Sequence, residues 1–206
     1  RARDLAAERL EAAAADLVFA GGRFSIAGTD RSVSLAEVAG GARLDERASF
    51  APAQENFPNS CHVCEVEVDP DTGVVELASY AVVDDVGTVL NPLTLKGQVQ
   101  GGVVQGLGQI LMERMAYDRE SGQLLTASFM DYAMPRAADL CAIEVGNHPV
   151  PTALNPLGVK GAGEAGTVGA LAACMNAIVD ALAPRGVREM DMPATPEAVW
   201  RALKAQ

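Results

Sequence analysis

The sequence predicts an α+β fold in which β-hairpins pack with glycine-rich helices. Two runs of alternating apolar and polar residues, at 62–68 and 74–83, are joined by a turn that contains Pro70 and Gly73, a pattern typical of a β-hairpin. Two further segments, 95–114 and 168–183, carry apolar residues at helical spacing. Glycines lie inside the first of these helices and just ahead of the second.

Composition limits the classes of partner. The chain has 206 residues, of which 49% are hydrophobic, enough for one well-buried domain or for two small domains that share a core. Its net charge of −11 is spread along the sequence and argues against nucleic acid, whose phosphates it would repel. The start lacks the features of a signal peptide, and no apolar run is expected to span a membrane. We therefore expect a cytoplasmic protein with no nucleic-acid or membrane partner.

The elements before the first long hairpin are short. An alanine-rich stripe predicts a helix from residue 1 to about 17, and Gly21-Gly22 predicts a hairpin between 17–20 and 23–26. Ser34 and Glu37 have the spacing of a capping box, which predicts a brief helix. Residues 43–60, with two prolines and few apolar side chains, are the best candidate for a linker.

The remaining elements frame the glycine-rich segments. A second hairpin is expected from 115–117 and 123–129, a short strand at 142–145, and a last helix that begins at Thr195 and is docked by Trp200 and Leu203. Asp84-Asp85 is interpreted as a solvated strand exit rather than as a pair of metal ligands. In Cys61-His62-Val63-Cys64, the alternation with Glu65 and Glu67 places Cys64 in a core, so we favour structural cysteines over a metal site.

The run Asn155–Thr167 is the least generic part of the sequence. It places Glu164, its one acidic residue, among glycines 158, 161, 163 and 166, ahead of a helix for which Thr167 is the expected N-cap. A carboxylate enclosed by close backbone packing has the raised proton affinity useful to a general base. The alternative is an acid that only complements a helix start. The glycines of 95–114 likewise indicate either a tight helix crossing or a ligand near Gln98.

Several motifs then occur in one order along most of the chain. They are Glu65-Val66-Glu67-Val68-Asp69, Asn91-Pro92, Gly97-Gln98-Val99-Gln100-Gly101-Gly102, Asp131-Tyr132-Ala133-Met134-Pro135, Lys160-Gly161-Ala162-Gly163-Glu164 and Asp191-Met192-Pro193-Ala194-Thr195-Pro196. This series resembles the C-terminal part of the large molybdopterin-binding subunit of the molybdenum hydroxylases, the family of xanthine dehydrogenase, aldehyde oxidase and aerobic carbon monoxide dehydrogenase. The chain would then be a C-terminal fragment, with a small helix and hairpin unit at 1–45 and a C-terminal molybdopterin-binding domain at 46–206.

The resemblance implies a site and a reaction. Glu164 matches the family's catalytic base, and the cofactor would be held by Gln98, Lys160, Gly161, Ala162 and Gly163. The cofactor would be molybdenum-molybdopterin, in the plain or the cytosine dinucleotide form, and no side chain of this chain would ligate the metal. The reaction would be hydroxylation or oxidation of a small-molecule carbon centre with water as the oxygen source. Iron-sulfur clusters and FAD would lie on partner domains or subunits, beside the rest of the large subunit.

Two other functions stay open at this point. The glycine loop and the helix start suit a non-catalytic module that binds a phosphate or nucleotide, although the loop lacks the Gly-Lys-Ser/Thr ending of a P-loop and no strand runs directly into it. The chain alone is also compatible with a structural fragment that is inactive without the rest of its pocket. Neither the substrate nor the presence of copper follows from this sequence.

Overall fold

The structure, a computed structural model, describes residues 1–41, 44–52 and 54–205. These residues divide into two units, Arg1–Ala51 and Pro52–Gln206. The boundary falls inside the segment 43–60 that the sequence marks as a linker, of which residues 43 and 53 lie outside the described part. Both units combine helices with strands, which confirms the predicted α+β class.

The first unit contains two helices and a three-stranded sheet around one apolar core. Its elements are α1 (Ala2–Leu10), β1 (Leu17–Ala20), β2 (Arg23–Ile26), β3 (Ser32–Ser34) and α2 (Leu35–Gly40). The sheet is antiparallel in the order β1-β2-β3. Ala6, Leu10, Leu17, Phe24 and Val38 are among its buried core residues.

Local sequence signals predict most of this unit. The hairpin turns at Gly21 and Gly22, both with positive φ, and the capping box of Ser34 and Glu37 is formed. The first helix, however, ends at Leu10 rather than near Leu17. Glu11 adopts a left-handed conformation with φ 48°, which stops the helix because that backbone geometry cannot continue its hydrogen bonding. A 3-10 turn at Ala14–Asp16 then leads into β1.

The second unit is built on a three-stranded sheet. Strands β4 (Asn59–Val68) and β5 (Val75–Asp85) form the predicted antiparallel hairpin, and β6 (Ile143–Asn147) lies parallel to β5 on its other side. Side chains alternate along β5, so Tyr80, Val82 and Asp84 all point into the interior. Cys64 packs against the same core from β4, as predicted.

Helices α3 (Pro92–Leu111) and α4 (Ala165–Leu182) pack against each other, and α4 also packs on the sheet. Their crossing is lined by glycines. A Cβ on Gly166 would lie 2.2 Å from the Val99 carbonyl oxygen, and one on Gly106 would lie 2.8 Å from the Ala170 Cβ. The tight helix crossing considered for the glycines of α3 is therefore confirmed at this position.

Helix α4 differs from its prediction at its start. It begins at Ala165, with Glu164 rather than Thr167 at the N-cap position. By length and composition, Ala165–Arg185 is also apolar enough to cross a membrane, although Asn176 and Asp180 interrupt its apolar run. Its residues Ala170, Cys174 and Ile178 are fully buried and belong to the core of the second unit, as in a core helix of a globular domain.

The segment 114–131, between α3 and β6, starts and ends near the C-terminus of α3. Tyr132 donates a hydrogen bond of 2.6 Å to Glu113, so both ends of residues 114–131 meet at the C-terminus of α3. The hairpin expected here is present in a reduced form: an antiparallel bridge joins Tyr117 and Leu124, and one backbone hydrogen bond on each side of the bridge completes the pairing. Leu125 and Phe129 are exposed, and a two-stranded ribbon without packing on its apolar side is marginal.

The last helix, α5 (Pro196–Lys204), begins as predicted. The Thr195 side chain accepts a hydrogen bond from the Ala198 amide, and Pro196 occupies the first turn. Val199 is the fully buried residue of this helix, whereas Trp200 remains 41% exposed. Leu203 packs against the core as predicted, whereas Val199 rather than Trp200 is the other docking residue of the helix.

Candidate functional site

The glycine loop ahead of α4 is held by backbone contacts with the end of β5. The amide of Thr88 donates to the Gly158 carbonyl at 2.9 Å, and the amide of Lys160 donates to the Val86 carbonyl at 2.8 Å. Gly87 permits this approach, because a Cβ there would lie 2.2 Å from the Gly158 oxygen and its φ is +65°. The loop is thus paired with a strand exit that lies 70 to 74 residues earlier in the sequence.

An ion pair fixes the same loop. The Lys160 ammonium lies 2.6 Å from Asp85 Oδ2, and both side chains are nearly buried, with 12% and 13% exposure. Asp85 also accepts hydrogen bonds from the amides of Gly87 and Val150. The Lys160 contact and these amides hold the pKa of Asp85 well below the usual range.

These contacts correct the sequence-based interpretation of Asp84-Asp85 and Lys160. Asp84 is fully buried and Asp85 is ion-paired, so the pair is not a solvated strand exit. The alternation of Tyr80, Val82 and Asp84 along β5 was the signal that indicated the inward direction of Asp84. Lys160 is likewise not a solvated loop lysine, and its predicted contact with a cofactor stays a prediction.

Gln98 reaches the glycine loop from α3. Its side-chain amide donates a hydrogen bond of 2.7 Å to the Gly163 carbonyl, across 65 residues of sequence. Gln98, Lys160, Ala162 and Gly163 line one open pocket of about 410 Å³. The structure therefore brings four of the six predicted site residues together on one concave surface.

Glu164 faces a second pocket on the other side of the loop. This pocket of about 600 Å³ is lined by Gly161, Gly163 and Glu164 together with Asn56 and Ser60. It shares Gly163 with the Gln98 pocket, so Gln98 and Glu164 line two neighbouring pockets rather than a single one. Asn56 accepts a hydrogen bond from the Gly161 amide at 3.3 Å, a contact that the sequence did not indicate.

The Glu164 side chain makes no hydrogen bond or ion pair with the described residues. It is exposed rather than enclosed by the loop, which corrects the expectation of a buried carboxylate. Although Glu164 occupies the N-cap position of α4, its side chain makes no capping hydrogen bond. An acid that served the helix start would accept a hydrogen bond from one of the first amides of α4. Both carboxylate oxygens are therefore available to a molecule in the pocket.

Gly161 and Gly163 present an open cradle to the two pockets. A Cβ at either position would meet no protein atom within 4 Å, and neither residue has positive φ. A methyl group at either position would occupy pocket space without contacting a described atom. The space suits a ligand that approaches the backbone closely, beside the first amides of α4, which have no partner within the helix.

A buried polar group lies next to the Glu164 pocket. Ser60, which lines that pocket, donates a hydrogen bond to Asp84, and Nδ1 of His62 lies 2.7 Å from the Tyr80 hydroxyl. In the sequence, His62 is notable only as a member of the motif that it forms with Cys61 and Cys64. Among the described residues, no group of three or more His, Cys, Asp and Glu side chains is placed to hold a metal ion.

Known proteins are similar to this chain over most of its length. Residues 1–141 match the family model of a molybdopterin cofactor-binding domain. The nicotine 6-hydroxylase large subunit of Paenarthrobacter nicotinovorans is 40% identical over 97% of this chain and 26% of that protein. The carbon monoxide dehydrogenase large chain of Hydrogenophaga pseudoflava is 32% identical over 99% of this chain and 27% of that protein.

Solved structures give the same result. The chain aligns with quinoline 2-oxidoreductase from Pseudomonas putida 86 at a TM-score of 0.89 and 33% identity, over 100% of this chain and 28% of that one. It aligns with the Cu,Mo-CO dehydrogenase in its carbon monoxide reduced state at a TM-score of 0.87 and 28% identity, over 99% of this chain and 27% of that one. The chain spans about a quarter of the length of the curated relatives it matches.

Proposed function

Because this chain belongs to the molybdopterin cofactor-binding domain family found in large subunits of molybdenum hydroxylases, we propose that it forms part of an oxidoreductase that hydroxylates a small-molecule carbon centre with water as the oxygen source. Glu164 is the proposed catalytic base. The cofactor is the proposed ligand of the loop residues Gly161, Ala162 and Gly163, with Gln98 and Lys160 beside them.

One observation carries the role of Glu164. Its carboxylate lies at a helix start yet makes no capping hydrogen bond, and it faces a pocket of about 600 Å³. A carboxylate with both oxygens free, held at a fixed backbone position, can accept a proton from a group bound within hydrogen-bonding distance. The backbone position is fixed from three sides, by the pairing of the loop with the end of β5, by the Lys160–Asp85 ion pair and by the Gln98 amide.

The residues around the loop fit an anionic cofactor. Gly161 and Gly163 leave open space on their pocket sides, and the first amides of α4 point toward an anion. Bound in this way, molybdenum-molybdopterin supplies the metal and the two-electron redox chemistry of the reaction. Gln98 holds Gly163 in place, and Lys160 adds a positive charge near the cradle while its ammonium is paired with Asp85.

The remaining features of the enzyme are also proposals. Relatives are named as a large subunit, a large chain and subunit gamma of a complex, which supports partner subunits. We propose that these partners carry the iron-sulfur and flavin cofactors, and that the molybdopterin is held in the plain or the cytosine dinucleotide form between this chain and the rest of the large subunit. We therefore expect the chain purified alone to contain no stoichiometric molybdenum, as measured by elemental analysis; stoichiometric metal would contradict the shared site.

The experiment that tests the proposed function is Glu164→Gln in the enzyme that carries this chain. Glutamine keeps the size and polarity of the side chain but cannot accept the proton, so kcat is expected to fall by roughly 10²- to 10⁴-fold. Molybdenum content and melting temperature are expected to stay unchanged, because Glu164 makes no capping hydrogen bond. The matched control is Glu120→Gln, at an exposed acid in the Asp118–Gly122 turn, which is expected to leave kcat unchanged. Full turnover with full molybdenum content in Glu164→Gln would overturn the assignment.

A further inference from the structure

The polar group beside the Glu164 pocket has no role in the proposed reaction. Tyr80 and Asp84 are fully buried on β5, and His62 on β4 lies opposite Val82, the residue midway between them. The Nε2 atom of His62 and the Oδ2 atom of Asp84 are buried and have no hydrogen-bond partner among the described residues. A buried polar atom without a hydrogen-bond partner costs free energy of folding. Two such atoms in one group therefore require a structural or functional explanation.

The His62 imidazole packs directly against α4. A Cβ on Gly169 would lie 2.2 Å from His62 Cδ2 and 2.4 Å from its Nε2, so a larger residue at position 169 would displace the ring. Gly169 follows Glu164 by five residues, and both line the same pocket. The ring therefore touches the helix within its first two turns.

The other side of the ring is held by Tyr80. The Tyr80 hydroxyl lies 2.7 Å from Nδ1 of His62, and because Tyr80 is fully buried, this contact fixes the ring relative to the sheet. Burial lowers the pKa of His62, against the opposing effects of the Asp84 charge and of the Ala165 backbone. The imidazole is therefore neutral at pH 7, and a neutral ring avoids charge repulsion with the positive end of α4.

We propose that His62 is a positioning residue for Glu164: held by Tyr80 on the sheet, its ring supports the first two turns of α4 and thereby fixes the helix start that presents the Glu164 carboxylate to the pocket. The consequence for turnover rests on the proposed function of Glu164. The consequence for the helix start does not depend on that function and is measured separately.

The first test is a double-mutant cycle between His62 and Gly169 in the enzyme that carries this chain. Gly169→Ala is expected to lower the melting temperature in the wild-type background, because the added Cβ meets the imidazole. In the His62→Ala background the same change is expected to raise the melting temperature, since the clash is gone and alanine favours a helix more than glycine does. The same direction of change in both backgrounds would overturn the proposed packing.

The second test measures the position of Glu164 through kinetics and amide hydrogen exchange. His62→Ala is expected to lower kcat by roughly 10- to 100-fold, the usual cost of a catalytic group displaced by about 1 Å, with KM and molybdenum content unchanged. Amide exchange of residues 161–168 is expected to accelerate in the same variant. His62→Gln, whose amide can still pair with Tyr80, is expected to recover most of the lost turnover.

His148→Ala is the control, because His148 is an exposed loop histidine outside the Glu164 pocket. This substitution is expected to leave kcat, KM, molybdenum content and amide exchange unchanged. If Glu164→Gln is inactive while His62→Ala changes neither kcat nor the exchange of 161–168, the positioning role of His62 is overturned and the proposed function stands. If Glu164→Gln keeps full turnover, the proposed function fails, and with it the effect of His62 on catalysis.

Discussion

The glycines around the α3–α4 crossing and those of the loop 161–163 belong to the same glycine-rich pattern but have different surroundings. At Gly166 and Gly106, an added Cβ would meet backbone or side-chain atoms of the neighbouring helix within 3 Å. At Gly161 and Gly163, it would meet nothing within 4 Å. The first pair is required by packing inside the chain, whereas the second pair leaves space for a ligand. Glycine content alone does not distinguish these two reasons.

The largest effect on stability is expected at Gly166, in the tightly packed α3–α4 crossing. Gly166→Ala places a Cβ 2.2 Å from the Val99 carbonyl oxygen, a backbone atom that cannot rotate away. We expect a loss of about 1–3 kcal/mol in the free energy of unfolding, as for other overpacked cores. Denaturant unfolding of the protein measures this loss, and an unchanged free energy would show that the helices can separate at no cost.

A second prediction concerns the support of the loop by side chains. The pKa of Asp85 is lowered in the folded state, mainly by Lys160, so its stabilising contribution is present above the ordinary aspartate range and is lost as pH falls through and below that range. Asp85→Asn is expected to reduce stability at pH 7 and to make it less sensitive to acid between about pH 5 and pH 2. Melting temperatures across this range test the prediction.

The matched control for that series is Asp71→Asn, at an exposed aspartate in the hairpin turn, which should keep the acid sensitivity of the wild type. If melting temperature depends on pH equally steeply in Asp85→Asn and in the wild type, the ion pair with Lys160 does not contribute to the stability of the folded state. The loop would then be held by its backbone hydrogen bonds alone.

A smaller effect of opposite sign is expected at an open glycine inside a helix. Gly101 lies in α3, is exposed and has no atom near its Cβ position. Gly101→Ala is therefore expected to raise the free energy of unfolding of this chain by up to about 1 kcal/mol, the helix-propensity difference between the two residues. Destabilisation of the chain by this change would show that the helix is crowded at Gly101.

The smallest effect on stability is expected at the cradle. Gly163→Ala is expected to change the free energy of unfolding by less than about 0.5 kcal/mol, because the added Cβ would have no described atom within 4 Å. In the enzyme that carries this chain, the same change is expected to lower molybdenum content, since the methyl group occupies the proposed cofactor space. Unchanged molybdenum content would remove the cradle from the cofactor site.

The sequence predicts the elements whose signals are local. The hairpin at β4 and β5, the capping box of Ser34 and the N-cap of Thr195 each depend on a few neighbouring residues, and all three are formed. The hairpin expected within 115–129 has the same kind of signal, but its pairing is limited to one bridge and its flanking hydrogen bonds, and Leu125 and Phe129 are exposed. Local propensity therefore predicts where the chain turns, whereas the length of the paired strands depends on tertiary contacts.

The contacts that build the candidate site are not local. Lys160 pairs with a carboxylate 75 residues earlier, and Gln98 reaches a carbonyl 65 residues later. Nothing in the spacing of these residues indicates their partners, because many side chains of the right type lie at similar separations. The start of α4 was misplaced at Thr167 for a related reason: the preferred capping residue was taken as the boundary, whereas packing of Gly166 against α3 extends the helix back to Ala165.

The closed ends of the segment 114–131 allow its length and its amino-acid sequence to vary during evolution. Because Tyr132 is tied to Glu113, insertions or deletions between them do not need to move α3 or the glycine loop. Doubling the length of such a closed excursion costs only about 0.6 kcal/mol of loop entropy. Phe129 and Met130 near its C-terminal end are 90% and 95% exposed, so their replacement disturbs little packing in this chain. This excursion is therefore a position where length and composition can diverge while the geometry around Glu164 is preserved.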